Sequence, residues 1–484
     1  MSRVLPPVAY ESLQQYVEAG GGLGLRAARS ISPDTVIDEL VASGLRGRGG
    51  AGFPTGTKWM TVRSFASPLL DTTVVVNAAE GEPGSFKDRS IIRANPYAVL
   101  EGALIAAHAM DSRTVVVGTK LAFATEVARL WSAIAELETA GWLGAVVFNV
   151  VEGPSEYLLG EETALLEVID GRPPFPRIAP PFRRGVVEVV ATQADAESGS
   201  GLSADVKMAG TDDGSLAPPV LVNNVETMAN VPAIIALGAR WFRSVGTEKS
   251  PGTVVCTVTG AVQHPGVHEV PMGTTLGEVI ELAGGVLPGR TAWAALGGVS
   301  SAIVTSDQFD TGLAYESMAA IGTSLGSAGF MVVADDVAPL SLAAGVSRFL
   351  AVESCGQCSH CKEDGGDISD LLGAMAAGQG GASDLAAVAV LLGTVGEGAR
   401  CGLAEQQHVV VGSILQKFES KIRATMSGDA PSPGVHLVAE LVDMTDDGVV
   451  LDESFAAKQP DWSHDRVDSG VSPVDALVDH RQTR

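Results

Sequence analysis

Four cysteines in this sequence have the spacing of a metal or cluster site. Cys355, Cys358 and Cys361 are separated by two residues each, and Cys401 lies further along the chain. Two-residue spacing lets one turn of chain direct three thiolates at a single iron–sulfur cubane, which a remote fourth ligand completes. Four thiolates also suit tetrahedral zinc, although zinc sites more often pair two Cys-x2-Cys units. The pattern therefore favours a 4Fe-4S cluster, with zinc as the alternative. Cys256 lies in an apolar run and is interpreted as a buried strand residue.

A glycine-rich segment near the start of the chain has the composition of an anion site. Five of the nine residues from 44 to 52 are glycine, and Arg46, Arg48 and Lys58 are concentrated around them in an otherwise acidic protein. Backbone N–H groups without side chains in the way, together with fixed cations, suit a phosphate. The alternative is a flexible loop. We interpret the segment as a phosphate-binding loop because of its local positive charge.

The sequence also predicts the strands and helices that position these residues. Apolar strands are predicted at 73–76, 114–117 and 145–150, with helical patterns at 97–110 and 121–137 between them. This alternation predicts a parallel sheet with helices on its faces, in which ligands bind beyond the carboxyl ends of the strands. Paired carboxylates follow the first and third strands there: Glu80 with Glu82, and Glu161 with Glu162. The alternative for such acids is a helix N-terminus, where the dipole favours them.

The composition changes several times further along the chain. Residues 184–219 are polar and rich in small residues, which indicates a long surface loop. Residues 252–334 show the pattern of a small α+β unit, and from residue 340 onward the pattern is helical with the cysteines between helices. Residues 431–484 are acidic and punctuated by Pro, Asp and Ser. We predict that this tail is peripheral and partly disordered.

Length and charge narrow the class of protein. The chain has 484 residues, 46% of them hydrophobic, and a formal net charge of -25. The length indicates about three domains, and the hydrophobic fraction excludes wholesale disorder. The negative charge argues against nucleic-acid binding and against binding to anionic membranes, since both need basic surface. Neither a signal-peptide core nor a membrane-spanning run stands out, so we expect a soluble, cytoplasmic protein.

Several motifs together resemble one protein family. The segment from Ser43 to Gly56 resembles a flavin-binding signature, and four further motifs match in the order of the family. That family is the NADH-binding flavoprotein subunit of respiratory complex I, together with the diaphorase subunits of NAD-linked hydrogenases and formate dehydrogenases. The further motifs are Glu82–Arg89, Gly160–Leu165, Asn223–Thr227 and Glu353–Cys358.

The resemblance implies a fold of class α/β with further domains. A Rossmann-like FMN- and NADH-binding domain with a parallel sheet is expected over residues 1–250, including an N-terminal extension and the loop 184–219. A ubiquitin-like β-grasp domain of the SLBB type is expected over 251–335. A helical bundle carrying the 4Fe-4S cluster is expected over 336–430, followed by the acidic tail 431–484.

The resemblance also implies cofactors and site residues. The cofactors are FMN, NAD(H) and one 4Fe-4S cluster held by Cys355, Cys358, Cys361 and Cys401. Matching positions are implied to contact FMN, namely Gly47, Arg48, Gly49, Gly50, Lys58, Asn77, Gly160, Glu161, Asn223 and Asn224. Others are implied to line the nucleotide, namely Phe53, Glu80, Glu82, Tyr157, Glu162 and Phe182. No side chain is implied as an acid or base, because the cofactors carry the hydride transfer.

The implied function is that of an enzyme subunit, an NADH dehydrogenase or diaphorase. A hydride would pass between NAD(H) and FMN, and single electrons would then reach partner iron–sulfur subunits through the cluster. The implied partners are a thioredoxin-like 2Fe-2S subunit and a further iron–sulfur or catalytic subunit of a quinone, hydrogenase or formate dehydrogenase module. The cytoplasmic location then includes a peripheral position at the inner membrane through that complex.

The sequence departs from the family pattern at several positions. Ala79 replaces an acid expected near the flavin, Gly81 replaces a serine, and Thr61 stands where relatives can carry a second aromatic residue. The loop before Asn223 and the acidic tail are additions. These departures motivate an alternative function, in which the chain keeps the cluster as an electron-transfer or structural subunit but has weakened nucleotide or flavin chemistry.

Overall fold

A computed structural model describes residues 3–66, 70–177, 219–427, 434–445 and 448–460 of the protein, with the backbone of two short strands at 186–189 and 205–208. Most of the predicted loop 184–219 and the end of the predicted tail lie outside these residues. Phe182, predicted to line the nucleotide, also lies outside them.

The strands and helices alternate in the first half of the chain. The strands are β1 (Thr73–Ala78), β2 (Thr114–Lys120), β3 (Val147–Gly153), β4 (Val186–Val189), β5 (Asp205–Met208) and β6 (Val220–Asn224). The helices are α1 (Leu13–Glu18), α2 (Leu23–Ala28), α3 (Pro33–Ser43), α4 (Thr55–Ser64), α5 (Lys87–Ala94), α6 (Pro96–Met110), α7 (Ala124–Thr139), α8 (Glu162–Ile169), α9 (Val225–Leu237) and α10 (Ala239–Phe242). A 3-10 turn at Tyr157–Gly160 precedes α8.

The second half contains a mixed sheet and then helices. Its strands are β7 (Thr253–Gly260), β8 (Gly266–Pro271), β9 (Ala292–Leu296), β10 (Val304–Thr305), β11 (Gly329–Ala334), β12 (Leu441–Thr445) and β13 (Gly448–Leu451). Its helices are α11 (Leu276–Leu282), α12 (Tyr315–Ala320), α13 (Pro339–Val352), α14 (Ser359–Ala376), α15 (Ala382–Thr394), α16 (Leu403–Gln406), α17 (Gly412–Lys417) and α18 (Glu419–Met426), with a π-helical turn at Gln407–Val411 between α16 and α17.

The first sheet is parallel in the order β3-β2-β1-β6, with Thr73 opposite both Thr114 and Val220. Its central strand β1 is apolar on both faces because helices cover both. Val74 and Val76 pack into a core with α3, α6 and α9, whereas Val75 packs into a second core on the opposite face. This arrangement brings the carboxyl ends of β1, β3 and β6 to one edge. The three predicted strands are confirmed within a few residues, whereas β6 was not predicted.

The second sheet is a β-grasp with the order β10-β9-β11-β7-β8. The central strands β7 and β11 run parallel, and the outer pairs are antiparallel. Helix α11 covers this sheet and begins at a capping box, in which Thr275 and Glu278 satisfy each other's backbone N–H groups. Cys256 is fully buried in β7, so its interpretation as a strand residue is confirmed.

The helices α13 to α18 pack into a further core that also takes up side chains from the C-terminal segment, by which we mean residues 434–445 and 448–460. Val438, Ala439 and Phe455 of this segment are buried in that core. The prediction of a peripheral tail is therefore wrong for the C-terminal segment, because its apolar residues complete the helical core. In the part of the chain that the structure describes, no helix is long and apolar enough to cross a membrane.

Candidate functional site

The carboxyl edge of the parallel sheet carries three polar side chains that their own elements hold in place. Asn77 at the end of β1 donates to the Gly160 carbonyl at 2.9 Å. Asn224 at the end of β6 caps α9, since its Oδ1 accepts from the Glu226 N–H at 3.0 Å. Glu161 caps α8 by accepting from the N–H groups of Thr163 and Ala164. Glu161 thus has the helix N-terminal role that the alternative interpretation described, and it faces the cavities as well.

Two cavities meet at this edge. The first, the glycine-loop cavity, has a volume of about 530 Å3, and the second, the central cavity, about 520 Å3. Volumes of this size are typical of cofactor and ligand sites. Both cavities are lined by Gly49, Ala51, Asn77, Gly160, Glu161 and Asn224, so they adjoin there. The site that the sequence predicted at the strand ends is therefore an extended, two-part space.

The predicted phosphate-binding loop closes on itself between α3 and α4. Helix α3 ends because Gly44 adopts the left-handed conformation, with φ of 69°. The Gly47 N–H then donates to the Phe53 carbonyl at 2.8 Å, and the Thr55 N–H to the Leu45 carbonyl at 2.9 Å. These two hydrogen bonds close the base of the loop and hold the glycines between them at the cavity wall.

Two of the loop's three cations, Arg46 and Arg48, point away from the cavity. Arg48 is buried, and its guanidinium donates to the carbonyls of Pro251 and Thr253 at 3.3 and 3.0 Å and to the Tyr315 hydroxyl at 3.2 Å. Arg46 donates to the Gly52 carbonyl and stacks over the Tyr315 ring at 3.8 Å. These guanidinium groups therefore anchor the loop to the β-grasp unit instead of supplying charge to the cavity.

Lys58 and Phe53 do face the glycine-loop cavity. Lys58 forms an ion pair with Glu162, with Nζ to carboxylate distances of 2.8 and 2.9 Å. Burial raises the pKa of Glu162, although Lys58 acts in the opposite direction. Phe53 is a large apolar side chain, yet 53% of its surface is exposed. Thr61 lines the same cavity, with its hydroxyl bonded to the Thr57 carbonyl.

Glu80 and Glu82, the carboxylates that follow β1, have different roles in the wall of the central cavity. Glu80 accepts from the Ser85 hydroxyl at 2.7 Å and pairs with Arg89 at 3.4 Å. Burial alone would raise the pKa of Glu80, but Arg89 and neighbouring groups bring it below its usual value. Glu82 accepts from the Tyr157 hydroxyl at 2.6 Å and from the Val299 N–H at 2.7 Å, and burial raises its pKa. Glu80 thus braces its own turn, whereas Glu82 joins three parts of the chain.

A buried charge cluster lies beneath the cavity, and sequence reasoning missed it. Lys87 Nζ is 2.7 Å from the Asp88 carboxylate and 3.1 Å from that of Glu226. Asn224 donates to Asp88 at 2.6 Å. Burial raises the pKa of Asp88 to about 6. Lys87 and Asp88 line the central cavity. The available signal was consecutive charges, Lys87 to Arg89, directly after the strand-exit motif. Other lining residues that were missed, such as Ser300 and Gln406, have no local signal.

The four predicted ligand cysteines line one further cavity. Cys355 and Cys358 precede α14, Cys361 lies in its first turn, and Cys401 precedes α16. All four thiols are free. Burial raises the pKa of the Cys355 and Cys401 thiols, and that of Cys361 to about 12. Among the described residues, no three His, Cys, Asp or Glu side chains gather tightly enough for a single metal ion. The thiols surround a space, as a cubane needs, since each thiolate binds a different iron.

The residues present fit both an anionic planar cofactor and an iron–sulfur cluster. At the loop, a Cβ on Gly50 would meet only the Gly326 backbone, at 4.0 Å, so the backbone at Gly50 has open space beside it. At the cysteines, the Gln357 amide lies 3.4 Å from the Cys355 sulfur and the Ser354 hydroxyl 3.3 Å from that of Cys361. Hydrogen bonds of this kind favour thiolates and tune cluster potential. An α/β domain with such a cavity beside a four-cysteine helical region defines a flavin- and iron–sulfur-dependent oxidoreductase subunit.

Comparison with known proteins identifies the family. Residues 40–233 match the model described as the Nuo51 FMN-binding domain, 255–300 match the SLBB domain, and 341–425 match the NADH-ubiquinone oxidoreductase-F iron-sulfur binding region. The F 2 subunit of NADH-quinone oxidoreductase from Rhizobium meliloti (strain 1021) is 35% identical over 419 residues, covering 84% of this chain and 93% of that protein. The chain therefore belongs to the family of NADH-quinone oxidoreductase F subunits.

Relatives outside the quinone oxidoreductases are also similar. NADP-reducing hydrogenase subunit HndC of Solidesulfovibrio fructosivorans is 32% identical, covering 86% of this chain and 80% of that protein. The crystal structure of an NAD+-reducing NiFe-hydrogenase in the H2-reduced state matches with a TM-score of 0.72 and 28% identity, over 86% of this chain and 67% of that chain. These findings confirm the predicted family, fold class and cofactors. The protein is an NADH-dehydrogenase-type oxidoreductase that brings electrons into a multi-subunit complex.

Proposed function

We propose that the two adjoining cavities hold FMN and NAD(H), and that electrons leave through the cysteine site to partner subunits. The observation that carries this proposal is the sharing of Leu158, Cys401 and Leu403 between the central cavity and the cysteine cavity. These three residues therefore lie between the proposed flavin and nucleotide site and the cluster site. Bound FMN supplies the conversion between a two-electron hydride and single electrons, which a nicotinamide cannot perform. Proximity through Cys401 then makes the cluster the natural acceptor.

Each wall of the site has a proposed role. The backbone at Gly49 and Gly50 receives the FMN phosphate, since both residues lack a side chain and a Cβ at Gly50 would meet only the Gly326 backbone, at 4.0 Å. The Gly47 N–H is bonded to the Phe53 carbonyl, so Gly47 contributes by closing the loop. The three fixed groups at the strand ends, Asn77, Glu161 and Asn224, orient the flavin at the junction of the two cavities. Their side chains are already held by the sheet and helix ends, so little ordering is required when the cofactor binds. Gly160 supplies the carbonyl that fixes Asn77, and Asn223 is held by the Trp59 indole at 2.8 Å.

On the nucleotide side, the proposed contacts are one aromatic ring and carboxylates from both pairs. The exposed Phe53 ring offers a stacking surface for a planar base or nicotinamide. Glu82, Tyr157 and Glu162 offer acceptors and a hydroxyl that can bond ribose hydroxyls or a carboxamide. Glu80 acts through its bonds to Ser85 and Arg89, which shape the turn that carries Glu82. These groups bind, orient and exclude water, and none of them has to move a proton.

The alternative function, a subunit with weakened nucleotide chemistry, is motivated by Ala79 and Thr61. Ala79 is buried at the central cavity and supplies no acid there. Thr61 supplies no second aromatic ring to the glycine-loop cavity. The ion pair of Lys58 with Glu162 and the bond of Tyr157 to Glu82 remain in place, which favours the first function.

The spectroscopic test uses the full chain purified with its partners. The visible spectrum is recorded under anaerobic conditions before and after NADH is added. Bleaching of the flavin absorbance, followed by reduction of the cluster, is expected for the proposed function. A cluster without flavin, or a flavin that NADH does not bleach, would refute it and favour the alternative.

The complex is proposed from the names of the relatives. A quinone or hydrogenase module is the proposed neighbour because relatives are named as quinone oxidoreductase and hydrogenase subunits. A thioredoxin-like 2Fe-2S subunit and a formate dehydrogenase module are proposed from the motif resemblance alone. Co-purification with the chain identifies which module is present. We also propose a cytoplasmic location, peripheral to the inner membrane through the complex, because the chain belongs to the family of NADH-quinone oxidoreductase F subunits.

A further inference from the structure

The C-terminal segment lies directly behind the central cavity. Strands β12 and β13 form a hairpin, and a 3-10 turn at Glu453–Ala456 follows it. Phe455 in that turn stacks on Phe349 with a centroid distance of 5.0 Å, and Phe349 meets the Tyr157 ring edge-on at 5.4 Å. Tyr157 lines the central cavity. The segment is thus one aromatic side chain away from the cavity wall.

The first polar link is a buried ion pair. Glu440 accepts from Lys120 Nζ at 2.6 and 2.7 Å, and Lys120 also donates to the Ser155 carbonyl at 3.1 Å. The Lys120 side chain is fully buried, whereas that of Glu440 is 19% exposed. Glu440 is the only acid among the described residues that forms an ion pair with Lys120. Removing it would leave a buried cation without a partner, which is costly.

This ion pair fills the space behind the cavity turn. A Cβ placed on Gly81 would lie 2.7 Å from Lys120 Nζ and 2.8 Å from Glu440 Oε1, closer than real Cβ contacts allow. Gly81 and the adjacent Glu82 line the central cavity. The ends of the Lys120 and Glu440 side chains therefore pack directly against the back of the turn at Gly81.

Two further links reach other parts of the same wall. Arg89 donates to the Leu441 carbonyl at 2.6 Å while it pairs with Glu80 at 3.4 Å. Lys458 pairs with Glu353, whose other carboxylate oxygen accepts from the Tyr157 N–H at 2.8 Å. Through three separate links, the C-terminal segment braces Gly81, Glu80 and Tyr157, all of which line the cavity.

We propose that the C-terminal segment is a positioning element of the nucleotide site, with Glu440 as its principal positioning residue. Glu440 neutralises Lys120 and so holds the turn at Gly81 and Glu82 in the shape that the nucleotide meets. The segment lies beyond residue 425, where the last family match ends. This inference rests on the proposed function, which places Glu82 and Tyr157 of the central cavity among the groups that meet NAD(H).

The test is the dissociation constant for NADH, measured on the full chain with its partners. The measurement is made at about pH 8, above the pKa of about 7 that burial gives Glu440, so that this carboxyl is ionised. Glu440→Gln keeps the size of the side chain and removes its charge, so Lys120 loses its counterion. A rise of threefold or more in the NADH dissociation constant is expected, with unchanged FMN content and unchanged cluster EPR signal. Adding Lys120→Met to this variant removes the unpaired charge and is expected to return the affinity to within about twofold of wild type. Glu453→Gln, an exposed acid of the same segment, is the matched control and is expected to bind NADH as the wild type does.

Two outcomes overturn the proposal. One is wild-type NADH affinity in Glu440→Gln. The other is a loss of NADH binding that occurs only together with loss of FMN and cluster, because this indicates general unfolding. Failure of the proposed function is distinguishable from both, since it is read from the wild-type protein: a wild-type flavin that NADH does not bleach refutes the function before any variant is compared.

Discussion

Replacing Arg48 separates two explanations of the glycine-rich loop. The family resemblance placed Arg48 among the groups that contact FMN, whereas the structure turns its guanidinium toward Pro251, Thr253 and Tyr315. The guanidinium also lies 3.8 Å from the buried Glu226 carboxylate. Arg48→Met keeps an unbranched apolar side chain and removes all of these interactions.

The expected loss of stability depends on the buried carboxylate that remains once Arg48 is removed. Removing one member of a buried charge pair costs about 3–5 kcal/mol. The lower end applies here, since Glu226 keeps Lys87 at 3.1 Å as a partner. At about 2–4 °C per kcal/mol for a domain of this size, we expect the thermal midpoint to fall by about 6–12 °C. The FMN dissociation constant is expected to change by about threefold or less, because in the proposed function the loop backbone, and not the Arg48 guanidinium, binds the phosphate.

The assay is thermal unfolding of the flavin-depleted protein, with FMN affinity measured separately by quenching of flavin fluorescence. Arg423→Met serves as the control, because Arg423 forms an exposed pair with Glu419 one helical turn away and is worth about 0.5 kcal/mol or less. If Arg48 instead bound the phosphate, the flavin-depleted midpoint would stay at the wild-type value and FMN affinity would fall at least tenfold. That result would refute the anchoring role.

Two further changes test the cysteine site and the C-terminal segment. Cys401→Ser is expected to abolish the normal cubane while the α/β domain stays folded, because one iron loses its thiolate. Iron content and the EPR signal measure this, and unchanged values contradict the ligand assignment. Burial raises the pKa of Glu440 from 4.5 to about 7, so between these pH values the native state holds a proton that the unfolded chain releases. Stability is therefore expected to fall as the pH rises through this window, and Glu440→Gln is expected to remove that contribution. Thermal midpoints at about pH 5, 6 and 7 measure both proteins, and parallel profiles contradict the prediction.

Short-range sequence patterns indicate much of the secondary structure. Ser32 caps α3 by accepting from the Thr35 N–H, Pro33 begins the helix and Gly44 ends it, so short-range signals mark both ends of α3 (Pro33–Ser43). Short apolar runs bounded by polar residues located β1, β2 and β3. Such signals succeed because caps and strand periodicity depend on neighbours in the chain. Strand β6 was missed because its apolar part is short and follows the long polar stretch.

The candidate site was only partly accessible in the same way. The cysteine spacing, the glycine loop and the paired carboxylates identified most of its walls, and the four cysteines do line one cavity. Lys87 and Asp88 escaped notice because consecutive charges at a helix start usually face water. Here Lys87 compensates its burial by pairing with both Asp88 and Glu226, and Glu226 arrives from α9, far along the chain. A partner so distant leaves no local signature.

By itself the sequence determined which chemistry this protein can support: four thiols for a cluster, a side-chain-free loop for a phosphate, and carboxylates at the ends of strands. These are properties of residue type and short spacing. Contacts between distant parts of the chain determined which of these groups line the two cavities. They turned Arg48 inward, placed Cys401 between two cavities and brought Glu440 to Lys120 behind Gly81. The physical reason is that a buried charge takes its function from its partner, and the fold selects that partner.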